Sequence, residues 1–190
     1  MIRAEKFREI EKEYDILEEE LRKTRGIVFD TEKGIYGTAK CDRMYNLFNK
    51  IRLQRYKSFL DLGSGDGRVV LIASLFTNSS GIEIDRFLVE KGEKIRNKLG
   101  LKCAFIQADF TRHNFSKYDF IFINPDKEWN EKIEKKLLRE FNGVLFVNNN
   151  IFLPNLFRKG RSYWFGSIPM IRYSMKNKKM INRKIKHGKR

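Results

Sequence analysis

The chain has 190 residues, 41% of them hydrophobic with 16 Phe, 7 Tyr and 2 Trp, which suits one domain with a proper core and excludes wholesale disorder. Lys and Arg number 40 against 24 Asp and Glu, a formal net charge of +16. No run of about 18 uninterrupted apolar residues occurs, and the N-terminus is charged from Arg3 onward, so neither a membrane span nor a signal peptide is expected and the cytoplasm is the expected location.

Phe7, Ile10, Tyr14, Leu17 and Leu21 recur at a 3-4-3-4 spacing and form one helical stripe, with Gly26 as its stop. Just over two heptads is short for an independent coiled coil, so a helix laid on the domain is favoured over a dimer seam; monomer and homodimer both stay open. Residues 27–37 read as a short extended segment and a loop, with turns at Gly34 and Gly37. Thr38 is the expected N-cap of a helix from Ala39 to Leu53, with Met44, Leu47, Phe48 and Ile51 on its apolar side. Residues 1–57 are thus N-terminal helices and a loop packed on the domain.

From Ser58 the pattern alternates. Apolar strand-like runs at Ser58–Leu62, Gly81–Ile84, Lys102–Gln107, Phe120–Ile123 and Val144–Val147 are separated by helical stretches near 67–76, 86–99 and 127–141, and Asp85 is the expected N-cap of the second. Short runs buried on both faces, alternating with helices, predict an α/β fold: a Rossmann-like, doubly wound, mostly parallel sheet with helices on both faces, preceded by the N-terminal amphipathic helix. Tyr163–Gly166 and Met170–Met175 read as two further edge strands, which ends the domain at about residue 175 and leaves 176–190 as a basic tail. The charge is uneven: no Asp or Glu follows Glu140, whereas 12 Lys and Arg do. Cys41 and Cys103 stand far apart with no Cys/His cluster, which argues against a disulfide framework and against a metal site.

The segment richest in chemistry is Phe59-Leu60-Asp61-Leu62-Gly63-Ser64-Gly65-Asp66-Gly67-Arg68, where a strand meets a helix through a turn with three glycines. Glycines there permit positive φ and let a ligand approach without meeting a Cβ. Glu83, twenty residues beyond Gly63, ends the next strand, where a carboxylate can accept from ribose hydroxyls. The glycines do not follow the Gly-x-Gly-x-x-Gly dinucleotide spacing, and Asp66 stands in the turn. A carboxylate repels a pyrophosphate but tolerates a cation, which favours S-adenosylmethionine over a nicotinamide dinucleotide.

With those residues in place, 58–150 resembles the class I S-adenosylmethionine-dependent methyltransferases. The resemblance implies that Asp61, Gly63, Ser64, Gly65 and Asp66 cradle the methionine part of the cofactor, that Glu83 binds ribose with Ile84 beside the adenine, and that Asp109 and Phe110 meet the adenine. It also implies that Asn124, Pro125 and Asp126, just after the fourth strand, face the methyl acceptor. Asp109 taken alone reads more often as a turn or helix cap.

For the acceptor, Asn124 can take a hydrogen bond from an attacking amine and aim its lone pair. Members acting on adenine or glutamine carry Asn/Asp-Pro-Pro-aromatic here; this chain has Asp126 in place of the second proline and delays the aromatic residue to Trp129. The alternative for these two is that Asp126 caps the next helix and Trp129 packs on the sheet. Asp61–Arg68, Gly81–Asp85 and Asn130-Glu131-Lys132 also resemble small archaeal protein-lysine methyltransferases, in which Asp126 would hold the incoming ammonium. The acid-free basic C-terminus, interleaved with Phe157, Tyr163, Trp164, Phe165 and Tyr173, tips the expectation toward a nucleic acid, RNA above all. A protein lysine is the alternative, and a non-catalytic cofactor- or RNA-binding module a third reading.

Overall fold

The computed structural model describes residues 2–26, 28–31 and 34–174. The expected tail, 176–190, lies outside the described residues. Helix α1 (Arg3–Thr24) leads into a small antiparallel hairpin of β1 (Val28–Asp30) and β2 (Ile35–Gly37), then α2 (Cys41–Ile51). The alternating part follows as β3 (Ser58–Leu62), α3 (Arg68–Ser74), β4 (Asn78–Glu83), α4 (Arg86–Leu99), β5 (Ala104–Gln107), β6 (Phe120–Ile123), α5 (Glu131–Glu140) and β7 (Val144–Asn148). The last two strands are β8 (Arg158–Trp164) and β9 (Pro169–Ser174).

These strands form one seven-stranded sheet in the order β5-β4-β3-β6-β7-β9-β8. The five central strands are parallel, and β9 and β8 add antiparallel at one edge. Alternate residues of the buried strands feed two cores. Phe59, Phe120, Phe122 and Phe146 face a layer built from α1 to α4, and the five stripe residues of α1 are all buried in it. Leu60, Leu62, Ile121 and Val147 face the second layer with Leu137 and Leu138 of α5. The α1 stripe therefore closes its own domain.

Four boundaries differ from the expectation. Thr38 does not cap α2; Lys40 holds that position without a side-chain bond. Nor does Asp126 cap α5, which starts four residues later than expected at Glu131 because Asn130 Oδ1 accepts from Lys132 N at 2.8 Å. Asp85 does cap α4, accepting from Leu88 N. Strand β8 begins at Arg158, five residues before the expected Tyr163, and β4 begins at Asn78 instead of Gly81. Polar runs can extend a strand where the backbone finds a partner and the side chains keep water.

The order fixes where a ligand can sit. From β3 the chain winds outward through β4 to β5, then returns to β6 on the other side of β3. In an open α/β sheet, the crevice outside the carboxyl ends of two such strands is the binding position. Here those ends are Leu62 and Ile123, which are register partners.

Candidate active site

At the end of β3 the chain turns through Gly63 (φ 70°), Ser64, Gly65 and Asp66 into α3. Open space faces Gly63 where a side chain would project, and the left-handed φ favours glycine. Four of the turn's own N–H groups are already used: Gly63 and Ser64 donate to the Ile82 carbonyl, Gly65 to Glu83 Oε2 at 2.9 Å, and Gly67 to the Ser64 carbonyl. A phosphate needs free donors, so this turn suits a cation, which needs acceptors and a negative field. Asp61 adds to that field once it gives up its proton, which a bound cation favours. It is 3% exposed, and burial, then the charges of Glu83 and Asp66, raise its carboxyl well above the ordinary range. Ser64 presses its hydroxyl onto Gly81 of β4, buried and without a hydrogen-bond partner among the described residues. Open space over Gly63 beside these carboxylates fits the sulfonium and ammonium of S-adenosylmethionine.

The residues expected to meet ribose and adenine come together at the next two strand ends. Glu83 accepts from Ile84 N and Asp85 N through Oε1 as well as from Gly65, which ties the end of β4 to the glycine turn. Ile84 is half-buried beside it. The Glu83 carbonyl accepts from Ala108 N at 2.9 Å and so draws Asp109 and Phe110 to the same edge. Asp109 caps a single 3-10 turn, taking Thr111 N and Oγ1 on Oδ1, while Phe110 leans on the second core. Both sequence readings of Asp109 are thereby compatible in one place.

Asp66 is a correction to the sequence argument. Its carboxylate is 2% exposed and does not stand open in the turn. Arg68 grips it through Nε and Nη2, at 2.7 Å for the latter, and Tyr36 Oη donates to it at 2.7 Å. Arg68 also bonds Glu18 of α1, and Tyr14 Oη donates to the Asp66 carbonyl. Burial raises the Glu18 carboxyl, but the Arg68 bond and charge outweigh it and leave it lowered. Tyr36, from β2, lays its ring over Gly65, 3.4 Å from where a Cβ would stand. Residues from α1 and β2 thus shape a turn that lies thirty or more positions further on. The turn still suits a cation, but because four of its N–H donors are occupied and because of Asp61 and Glu83.

Of the residues expected to face the acceptor, Asn124 leaves the end of β6 exposed, next to the glycine turn. Its Oδ1 accepts from Asn148 Nδ2 at 3.2 Å, and Asn149 Nδ2 donates to the half-buried Pro125 carbonyl at 2.8 Å. Asp126 Oδ2 accepts from Ile35 N at 2.8 Å, so its carboxylate pins β2 at the rim; Gly34 backs directly onto it, where a Cβ would collide. Trp129 is turned inward: its Nε1 donates to the Phe152 carbonyl and its ring packs on the second core. The structure therefore gathers Asn124, Pro125 and Asp126 with the residues expected to bind the cofactor along one sheet edge. Sequence reasoning missed Tyr36, Arg68, Asn148 and Asn149. The Asn148-Asn149-Asn150 run at the end of an apolar strand was the one available signal for the last pair.

A family model described as "Histone methylation protein DOT1" matches residues 28–163. Among curated proteins, a Caenorhabditis elegans lysine N-methyltransferase named for a subunit of ATP synthase is 33% identical over 88 residues, 45% of this chain and 46% of that protein. The chain thus spans about half the length of that relative. Among solved structures, an RNA methyltransferase from Salinibacter ruber in complex with S-adenosyl-L-homocysteine superposes with a TM-score of 0.60 at 23% identity, over 75% of this chain and 95% of that one. The putative methyltransferase yhhF from Escherichia coli gives 0.60 at 19%, over 74% and 88%. At these identities the two structures share the fold.

Proposed function

This chain belongs to the family of the histone methylation protein DOT1, within the class I S-adenosylmethionine-dependent methyltransferases, and on that premise we propose that it methylates the Nε of a protein lysine. The RNA expectation drawn from the basic C-terminus loses its support: the family and the named relative are described by protein methylation, the relative by lysine. The observation that carries the reading is the composition of the acceptor mouth. Asn124 and Asp126 line it, while the one aromatic ring of that loop, Trp129, is committed to the core. A nucleobase needs a stacking face, whereas an aliphatic amine needs acceptors and a narrow approach.

Bound S-adenosylmethionine supplies a methyl carbon already activated by its sulfonium. The protein's task is alignment, which in favourable cases accounts for about 7–11 kcal/mol of a barrier. A lysine reaches the mouth as an ammonium, drawn by the Asp126 carboxylate, and releases one proton to solvent. Asn124 Oδ1 keeps a lone pair beyond the one Asn148 engages and takes an N–H of the neutral amine, aiming the nitrogen at the methyl. The glycine turn with Asp61 and Glu83 would hold S-adenosylmethionine, which would supply the methyl and keep the C–S bonding pair as S-adenosylhomocysteine, leaving a methylated ammonium; the one proton released is the one lost before attack.

The test is incubation with methyl-labelled S-adenosylmethionine and either cell protein or total RNA. Label in methyl-lysine, lost by at least about 100-fold in Asn124→Ala with cofactor affinity retained, is the expected result; label in RNA alone sinks the reading.

A further inference from the structure

Seven large apolar side chains stand exposed among the described residues, and their distribution is uneven. Ile2 and Ile16 belong to the α1 end of the chain, and Val28 opens β1. Ile35, Ile151, Trp164 and Ile168 all fall on the carboxyl edge of the sheet, around the acceptor loop. The hydrogen bonds and register place them there. Ile35, 55% exposed, carries the N–H that Asp126 accepts. Ile151, 74% exposed, donates its N–H to the Asn149 side chain that also holds the Pro125 carbonyl. Trp164, 63% exposed, pairs with Pro169, next to Met170, which pairs with Asn148; Ile168 lies in the same turn. Isolated exposed apolar groups are ordinary on any surface, but a set gathered round a reaction mouth marks a contact face.

The charge along β8 and β9, leading away from this face, is one-sided. Arg161 and Arg172 partway along β8 and β9, and Arg158 and Lys159 at the end of β8 remote from Trp164, where they pair with Ser174 and Tyr173, have no carboxylate within ion-pairing distance among the described residues. No acidic residue follows Glu140 in the sequence to compensate them. Asp126 and Glu128 supply negative charge on the loop itself, beside the lysine. A Lys/Arg-rich tail laid from the mouth toward β9 and β8 meets like charge, which selects against it.

We propose that the acceptor lysine is presented within an apolar segment whose flank on the β8–β9 side is acidic or uncharged, and not within a basic tail. This deepens the lysine reading and rests on it. Ile35 and Ile151 receive the apolar neighbours of the lysine, Trp164 and Ile168 extend the contact, and Arg161 and Arg172, with Arg158 and Lys159 beyond them, meet an acidic flank that runs along β8 and β9 away from the mouth.

Three synthetic peptides of equal length test it, each with one lysine: one flanked by Leu and Ile with Asp and Glu beyond, one flanked by Ser and Gly, and one flanked by Arg and methylated Lys. The full chain with labelled cofactor is expected to favour the first over the third by at least about 10-fold in kcat/KM. Ile151→Ser and Trp164→Ser should each raise KM for the first peptide several-fold, with cofactor affinity, thermal midpoint and turnover of the Ser/Gly peptide unchanged. Equal or better methylation of the basic peptide overturns the proposal and leaves the lysine reading intact. Absence of lysine methylation in every peptide, with label entering RNA, removes the lysine reading itself. A dimer in sedimentation that Trp164→Ser dissolves makes the face a self-contact and also overturns the proposal.

Discussion

Replacing Arg68 with methionine tests whether the N-terminal elements shape the glycine turn. Arg68 is 3% exposed and holds two carboxylates, the 2%-exposed Asp66 and Glu18. Methionine keeps much of the aliphatic stem but removes the bonds from Nε and Nη2 to Asp66 and the one from Nη1 to Glu18. Asp66 then retains the Tyr36 hydroxyl and the backbone N–H of residue 68, too little for a buried charge. Breaking such a pair on one side costs about 3–5 kcal/mol, a large share of a typical domain's stability of about 5–15 kcal/mol. With a urea m-value of about 2 kcal/mol/M, the midpoint falls by about 1.5–2.5 M. Adding Asp66→Asn removes the stranded charge and should restore about 2 kcal/mol, a coupling within the range seen for contacting residues. Urea titrations of wild type, both single variants and the double variant measure it, with calorimetric cofactor binding run in parallel. A loss below about 1 kcal/mol for Arg68→Met, or strict additivity in the double variant, would refute the reasoning.

Gly63→Ala forces a Cβ onto a backbone at φ 70° and into the open space of the cleft; stability should fall by about 1–2 kcal/mol while S-adenosylmethionine binding weakens beyond about 10-fold, and equal affinity would place the cofactor elsewhere. Asp61 binds its proton more tightly folded than unfolded, because of burial first and then Glu83 and Asp66. Wild-type stability should therefore decline as pH rises above about 4, the unfolded carboxyl value, toward the raised folded value, and Asp61→Asn should gain on wild type at pH 8 relative to pH 4.5 in thermal melts. Binding a cation beside Asp61 favours its ionised form, so calorimetry in buffers of different ionisation enthalpy should detect proton release that Asp61→Asn abolishes. Asn148→Ala frees the Asn124 amide and should lower kcat about 10-fold with cofactor affinity unchanged; an unaltered kcat shows that Asn124 needs no such support. Trp129→Phe loses one hydrogen bond, about 1 kcal/mol, and should keep methyl transfer within twofold, whereas a collapse of activity would put that ring in the mouth. Burial pushes the Cys41 thiol up to about 12 and the Cys103 thiol to about 11, so iodoacetamide should label both slowly at pH 7.5 and faster only in urea.

What can be read along the chain is whatever neighbouring residues decide together. The apolar run Phe120–Ile123, the 3-4-3-4 stripe of α1, the Asp85 cap and the glycines of the β3–α3 turn each express a backbone preference or a buried face within one element. Together they determined an α/β sheet with a ligand turn at its carboxyl edge. The strand order that makes β6 the neighbour of β3, and so sets Asn124 beside Gly63, is a long-range choice with no local signature. Asp66 shows the same limit at the level of one side chain: its neighbours in sequence present it as an open carboxylate, but Arg68 and Tyr36 enclose it. Asp126 answers to Ile35, ninety-one positions earlier, and Trp129 to Phe152. These contacts exist only after the hairpin and the β7 loop have folded over the edge, because a buried polar group takes whichever partner the tertiary packing brings within reach. Sequence by itself thus determined the cofactor class, and tertiary structure decided which side chains remain free to meet the acceptor.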